Sequence, residues 1–290
     1  MNSMSDNSKT RGRKSAGGRG ADRVWRQRGA RSSDRRQAAT DGEDAHYLYG
    51  LHAVEFALRN PRRSIFKIWA TENAQRKLAD ALAQRSIEIE RASPRELDRR
   101  VGSDAVHQGI VIEAAALETV ELEDLLESAL ACKLPIVLLD QVTDPQNVGA
   151  VLRSGAVFGV AGVIMTGRHS PPLGAALAKA ASGAMDLTPV CLVQNLSKTI
   201  ETLRQQSFAV IGLDGAVGLR LLEDGLQQRT GQGLALALGA EGKGLRELTR
   251  QSCDELCRIA GDGPIASLNV SNAAAVALHL AAMSRRRSGV

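Results

Sequence analysis

The sequence predicts an α/β protein in three parts. A disordered basic tail covers residues 1–46, a small α/β unit covers 47–116, and a larger unit built on a parallel sheet covers 134–290, with 117–133 as the linker. Three observations carry that expectation. Strand and helix patterns alternate from Leu134 onward, the signature of a parallel sheet covered on both faces. Hydrophobic residues make up 43% of the chain but aromatic ones only 3%, so the core is aliphatic, which suits parallel strands and packed helices better than a β-sandwich. The formal net charge of +5 sits wholly in residues 1–46, which hold 11 Lys and Arg against 6 Asp and Glu; the remaining chain balances at 26 of each.

Residues 1–46 are rich in Gly, Ser and Arg and poor in apolar side chains, so they cannot bury enough surface to offset their ordering entropy. Such an arm suits a phosphate backbone through sequence-independent, salt-sensitive attraction, or serves only as a solubilising tail. In the stretch YLYGLHAVEFALRNPRRSIFKIWATE, a Gly turn leads into an amphipathic helix that Asn60-Pro61 ends, and a strand follows. Gln75 to Arg85 reads as helix, Ile87 to Glu90 as a short strand, Pro94 to Arg100 as a helix start, and His107 to Ala115 as a turn and a strand. Leu117 to Lys133 is an acidic helical connector.

Beyond it, the strand LPIVLLD and a helix over Asn147 to Phe158 precede the strand Ala161 to Gly167. A helix around Gly174 to Ala181, the strand LTPVCLV, a helix over Leu196 to Gln206 and the strand FAVIGLD come next. The strand Leu234 to Ala240, a helix from Leu245, the strand ELCRIAG and a long helix over Val270 to Ser284 complete the pattern. Basic residues Arg59, Arg62, Arg63 and Lys67 follow the first helix, either as a patch gripping a phosphate backbone or as a solvated helix end.

Several function classes drop out. No apolar run is long enough to cross a membrane, and the tail lacks the apolar stretch of a secretory signal. Its six acidic residues argue against an organellar transit peptide, the alternative being a mitochondrial relative. Cys132, Cys191, Cys253 and Cys257 have no zinc spacing, so no metal is expected and the thiols read as free groups in a reducing, cytoplasmic setting.

Three loops at strand ends carry chemistry-bearing residues: DQVTDPQNVGAVLRSG, LGAEGKGL and IAGDGPIASLNVS. Ligands bind at the carboxyl ends of strands in such sheets. Neither phosphate-loop pattern fits. Gly242-Lys243 is followed by Gly244 rather than Ser or Thr, and Glu247 stands where the dinucleotide fingerprint needs its last glycine. What remains is glycine-rich backbone able to approach a ligand, with Asn147, Arg153, Glu241, Ser267 and Asn269 as polar contributors. The alternative is ordinary tight turns, with Ser267 or Asn269 only capping a helix and Arg153 in a surface ion pair. Apolar neighbours on both sides of Arg153 suggest that it leaves a largely buried helix.

DQVTDPQNVGAVLRSGAVFGV, LALALGAEGKGL and IASLNVSNAAAVAL resemble the three motifs of the SpoU family of RNA ribose methyltransferases. RHSPPLGAALAKAASGAMDLTPV is similar to the family's connecting stretch, with Lys179, Ser182, Gly183, Ala184 and Pro189 in register. YLYGLHAVEFAL and HQGIVIEA resemble the substrate-binding domain of the branch that methylates a guanosine 2′-hydroxyl in bacterial 23S ribosomal RNA. The likeness spans residues 47–290.

It implies a C-terminal domain tied in a trefoil knot, a homodimer, and S-adenosylmethionine as cofactor. Gly239, Ile259 and Leu268 match positions whose backbone holds the cofactor. Asn147, Arg153, Glu241, Ser267 and Asn269 match catalytic and substrate-site positions. The family usually has Ile-Pro-Met where this chain has Ile259-Ala260-Gly261, which loosens one pocket wall and bears on cofactor affinity more than on reaction type. The family's Arg is proposed as general base, but guanidinium groups hold their protons, so electrostatic stabilisation of an alkoxide is the physically easier role. A tRNA ribose methyltransferase is the rival within the class, and a non-catalytic RNA-binding or ribosome-assembly factor the rival outside it.

Overall fold

The computed structural model describes residues 45–216, 218–229, 232–261, 263 and 267–287. The basic tail therefore lies outside the described residues up to 44. Its expected boundary at 46 falls inside strand β1 (Ala45–Tyr49), which pairs antiparallel with β4 (Ile110–Ala115). The sequence pattern hides β1 because its polar lead-in looks like tail; its partner strand fixes it.

The small sheet has the order β1-β4-β2-β3, with β2 spanning Ile65–Ala70 and β3 spanning Ile89–Arg91. Helix α1 (Leu51–Arg59) starts after Gly50, whose φ of 91° only glycine adopts without strain, and stops at Asn60 before Pro61. The expected helix over 75–85 is two short pieces, α2 (Glu72–Lys77) and α3 (Ala79–Leu82). They break at Leu78, where φ of −107° leaves the helical region and Thr71 caps only the first piece. Helix α4 (Pro94–Val101) opens on a capping box in which Ser93 and Glu96 satisfy each other's backbone neighbours. The linker holds α5 (Leu122–Cys132).

The large sheet has seven parallel strands in the order β7-β6-β5-β10-β8-β11-β9. Strands β5 (Ile136–Asp140) and β6 (Gly162–Thr166) are buried throughout, as strands covered on both faces must be. The chain lays β5, β6 and β7 (Val190–Val193) toward one edge, then crosses to β8 (Phe208–Leu213) on the other side. The gap left between β5 and β8 is filled by β10 (Gly233–Gly239). That reversal is where loops separate and a ligand crevice opens. Strand β9 (Arg220–Leu221) and helix α9 (Leu222–Gln227) have no counterpart in the sequence reading, while β11 (Glu255–Arg258) does.

Four further helices cover the sheet: α6 (Pro145–Phe158), α7 (Ala175–Ala181), α8 (Leu196–Gln205) and α10 (Glu247–Ser252). The long C-terminal helix α11 (Val270–Arg287) buries Ala274, Ala277, Leu278 and Ala281 and packs along α6. Gly149 lets α6 touch α7, since a Cβ there would sit 2.6 Å from that of Ala180.

The two sheets belong to one compact unit and are joined by a buried ion pair. Arg63, which follows α1, donates from Nε and Nη2 to Asp186 at 2.9 and 3.0 Å, and both side chains are at most 3% exposed. Asn60 adds a 2.9 Å bond to the same carboxylate. Gly183, at φ of 88°, seats α1, because a Cβ there would meet Phe56 at 2.7 Å. The expected phosphate-gripping role of Arg63 is thereby overturned: its guanidinium is inside and matched. Arg59 pairs with Glu55 within α1, and Arg62 donates to the Glu118 carbonyl, its pKa lowered by burial against the pull of Glu118 and Asp124. Lys67 stays exposed, 6.0 Å from the Trp69 ring.

Candidate active site

Strands β5, β10 and β11 deliver three loops to one end of the sheet. The first begins with Asp140, which is fully buried and accepts from Arg246 through both its backbone N and Nε, at 2.9 and 2.7 Å. One carboxylate thus ties the end of β5 to the chain leaving the β10 loop. Asp144 then caps α6 by accepting from the Gln146 N–H, Pro145 opens the helix, and Asn147 sits in its first turn.

The second loop, Ala240–Gly244, doubles back on itself. Gly244 N donates to Ala240 O at 2.8 Å, and Gly242 and Gly244 adopt φ of 74° and 65°. A Cβ on Gly239 would overlap the Gly244 carbonyl and the Leu245 nitrogen, so that strand end must be glycine. The turn presents Glu241 toward the first loop.

The third loop contributes Asn269. Its Oδ1 accepts from Ser271 N at 2.8 Å and Ser271 Oγ at 2.5 Å, capping α11. Its Nδ2 donates to Asn147 Oδ1 at 3.0 Å and to Glu241 Oε1. Asn147 Nδ2 closes the ring by donating to Glu241 Oε1 at 2.9 Å. Three motifs, separated by 94 and 28 residues, therefore meet at one carboxylate oxygen.

The ring stands at the rim of a cleft of about 800 Å³. Gly239, Glu241, Ile259, Ser267, Leu268 and Asn269 all line it. Ala260 and Gly261 form part of the same wall, and a Cβ on Gly261 would meet no described atom within 4 Å. Arg153 is not among the lining residues. Six residues after Asn147, it lies about 240° around the helix. It is exposed, as are Ala156 and Val157, whereas Val148, Val151, Leu152 and Gly155 are buried. The expectation of a largely buried setting for Arg153 does not hold, since it is Val148, Val151 and Leu152 that face inward while Arg153 shares the exposed face with Ala156 and Val157.

Sequence reasoning missed four polar groups here. Asp140 is one. Asp214 and Arg250 form an ion pair at the cleft wall, and Arg258 lines the cleft from the end of β11. A carboxylate or arginine closing an otherwise apolar strand was the available signal at Asp140, Asp214 and Arg258. The nearby Cys253 thiol is pushed up to about 12 by burial, with Asp254 and Asp140 adding, and donates to Thr249 O, so it offers no nucleophile. Among the described residues, no cluster of His, Cys, Asp and Glu could hold a metal, and no helix is long and apolar enough to cross a membrane.

Comparison with known proteins identifies the family of the chain. The model of the SpoU rRNA Methylase family matches residues 135–279, and that for RNA 2′-O ribose methyltransferase substrate binding matches residues 47–120. The chain is 36% identical over 246 residues to the 23S rRNA (guanosine-2′-O-)-methyltransferase RlmB of Pseudomonas putida, covering 82% of this chain and 96% of that one. It is 35% identical over 243 residues to RlmB of Escherichia coli K12, covering 82% and 98%. The SpoU methyltransferase AviRb of Streptomyces viridochromogenes, solved with its cofactor AdoMet, shares the fold with a TM-score of 0.66 at 20% identity, covering 84% and 91%. The chain belongs to the SpoU rRNA methylase family.

Proposed function

We propose that this protein transfers a methyl group from S-adenosylmethionine to the 2′-hydroxyl of a guanosine ribose in 23S ribosomal RNA. The observation that carries the reading is the Asn147–Glu241–Asn269 ring at the rim of a glycine-walled cleft. A binding-only module has no need to spend three convergent polar groups there. The likeness to RlmB over most of both chains supports the ribosomal substrate.

The cleft fits the cofactor. Gly239 lets the Gly244 turn close against the strand end at the cleft wall, and a buried guanidinium nitrogen of Arg258 meets no hydrogen-bond partner among the described residues. Gly239, Ile259 and Leu268 would hold it by backbone contacts. When bound, S-adenosylmethionine supplies an electrophilic methyl on a cationic sulfur. The chain's own part is positional. Asn147 orients the ribose, Glu241 fixes the Asn147 amide, Asn269 locks both to the start of α11, and Ser267 lies beside the reacting ribose. Arg153 leaves the exposed outer face of α6, away from this chain's own cleft, so its grip on an RNA phosphate and on the developing alkoxide would fall at the cleft of a paired copy. By holding the ribose in line with the bound cofactor, these residues would supply much of the acceleration through alignment.

In this reading 47–116 brings the RNA, 117–133 links, and 134–290 carries the chemistry along a trefoil-knotted path. Two copies pair through the exposed face of α6, where Val157 is 75% exposed. The enzyme works in the cytoplasm, where ribosomal RNA is assembled.

The test is transfer of labelled methyl to unmodified large-subunit rRNA, with bulk tRNA in parallel and the product mapped for ribose or base methylation. A 2′-O-methylguanosine in rRNA alone is expected. Label in tRNA alone would overturn the substrate, and label on a base would overturn the reaction.

A further inference from the structure

Among the described residues, the charges that line the cleft are matched except for Lys243 and Arg258. Asp214 pairs with Arg250, and Glu241 accepts from two amides. Just outside, Asp140 takes Arg246. Arg258 differs. It is the last residue of β11, directly before Ile259, and lines the cleft from the strand end. Its Nε is buried and meets no hydrogen-bond acceptor, and no ion pair reaches its guanidinium among the described residues. Lys243 also lines the cleft, but it is exposed on the turn and solvated, so it asks for no partner.

A guanidinium taken partly out of water without a counter-charge is costly, and its planar fork matches a carboxylate in two parallel hydrogen bonds. We infer that Arg258 binds the α-carboxylate of the amino-acid end of S-adenosylmethionine. The inference rests on the reading that this cleft takes that cofactor. Of the groups on the cofactor only the carboxylate is anionic; the sulfonium and the ammonium would be repelled. An RNA phosphate offers similar chemistry, but a polymer backbone crosses the exposed rim, where Glu241 and Asn269 lie, whereas Arg258 closes strand β11 and is only partly exposed.

The assignment also bears on the departure at Ala260-Gly261. That wall has lost apolar contact, with open space around Gly261. A charge-assisted bidentate contact one strand position earlier offsets part of the loss.

The test is calorimetry with two ligands that differ by one carboxylate: S-adenosylmethionine and decarboxylated S-adenosylmethionine. Wild-type protein should bind the first more tightly. Arg258→Met should weaken S-adenosylmethionine by roughly tenfold to a hundredfold. The same substitution should leave the decarboxylated ligand within about twofold, so the preference disappears. Arg258→Lys, which keeps the charge without the fork, should fall between. Equal weakening of both ligands, or an unchanged preference in Arg258→Met, overturns the assignment. So does a variant that binds both ligands normally and loses only RNA affinity, since that outcome gives the guanidinium to a phosphate. Wild-type protein that binds neither ligand would overturn the cofactor reading itself.

Discussion

The two ends of the Asn269 amide address different partners: Oδ1 takes the first free N–H groups of α11, and Nδ2 reaches Asn147 and Glu241. The sequence offers capping and site chemistry as alternatives for this residue, and the fold uses one side chain for both. Arg153 shows the opposite difficulty. Its neighbours in sequence are apolar, but a helix turns about 100° per residue, so Val151 and Leu152 face inward while Arg153 faces out. Pairings such as Asn147 with Glu241, 94 residues apart, are invisible to any local pattern. Because Glu241 accepts from both amides, it is the member whose loss undoes the ring. Removing charge-assisted bonds of this kind costs about 1.5–3 kcal/mol. Glu241→Ala should therefore lower kcat by roughly tenfold to a hundredfold. Glu241→Gln, which keeps an acceptor at Oε1, should retain more activity than Glu241→Ala. Steady-state methyl transfer with a thermal melt of each variant checks this; an alanine variant that turns over like wild type would remove Glu241 from the positioning scheme.

At the scale of elements, the buried strands were the legible part, because continuous aliphatic runs such as IVLLD and LALALG leave little else to be. The elements that escaped were those defined by partners. Strand β1 exists through its pairing with β4, and β9 is two residues held against β11. Between these extremes lies the β10 loop, whose glycines were visible but whose separate roles were not. Gly242 and Gly244 serve the turn through positive φ, whereas Gly239 serves close approach, with the Gly244 backbone occupying the space of its absent side chain. That difference predicts two outcomes. Gly239→Ala should push the turn off the strand end and weaken S-adenosylmethionine binding by more than about tenfold, the loss of one good hydrogen bond or more. Gly242→Ala meets no atom within 4 Å and carries only backbone strain of about 1 kcal/mol, so its affinity should stay within a few-fold. Isothermal titration of the two variants decides between them, and a Gly239→Ala protein with wild-type affinity would show that the seat of the turn on Gly239 does not shape the cleft.

At the scale of the whole molecule, the joint between the two sheets depends on a residue that composition places on the surface. Four basic residues from the last turn of α1 onward suggest an RNA-gripping patch, yet Arg63 turns inward and meets Asp186, 123 residues later, with Asn60 completing the carboxylate's partners. The carboxylate sits just after Gly183, the glycine that seats α1, so packing and charge at this joint depend on the same short stretch. Arg63 also donates to Ala115 O at 2.9 Å, which ties the end of β4 to the same point. A buried pair is weak proof of net stability, because two charges leave water to form it, but breaking it from one side strands the other charge. Asp186→Ala should therefore destabilise the protein by about 3–5 kcal/mol, while Arg63→Met with Asp186→Leu should recover much of the loss. Urea unfolding of the single and double variants measures both. If the joint also fixes how RNA is delivered to the cleft, the double variant should melt near wild type yet show a raised KM for rRNA with unchanged affinity for S-adenosylmethionine. A double variant with wild-type KM would mean that the ion pair serves stability alone and that the surrounding apolar packing sets the angle between the sheets.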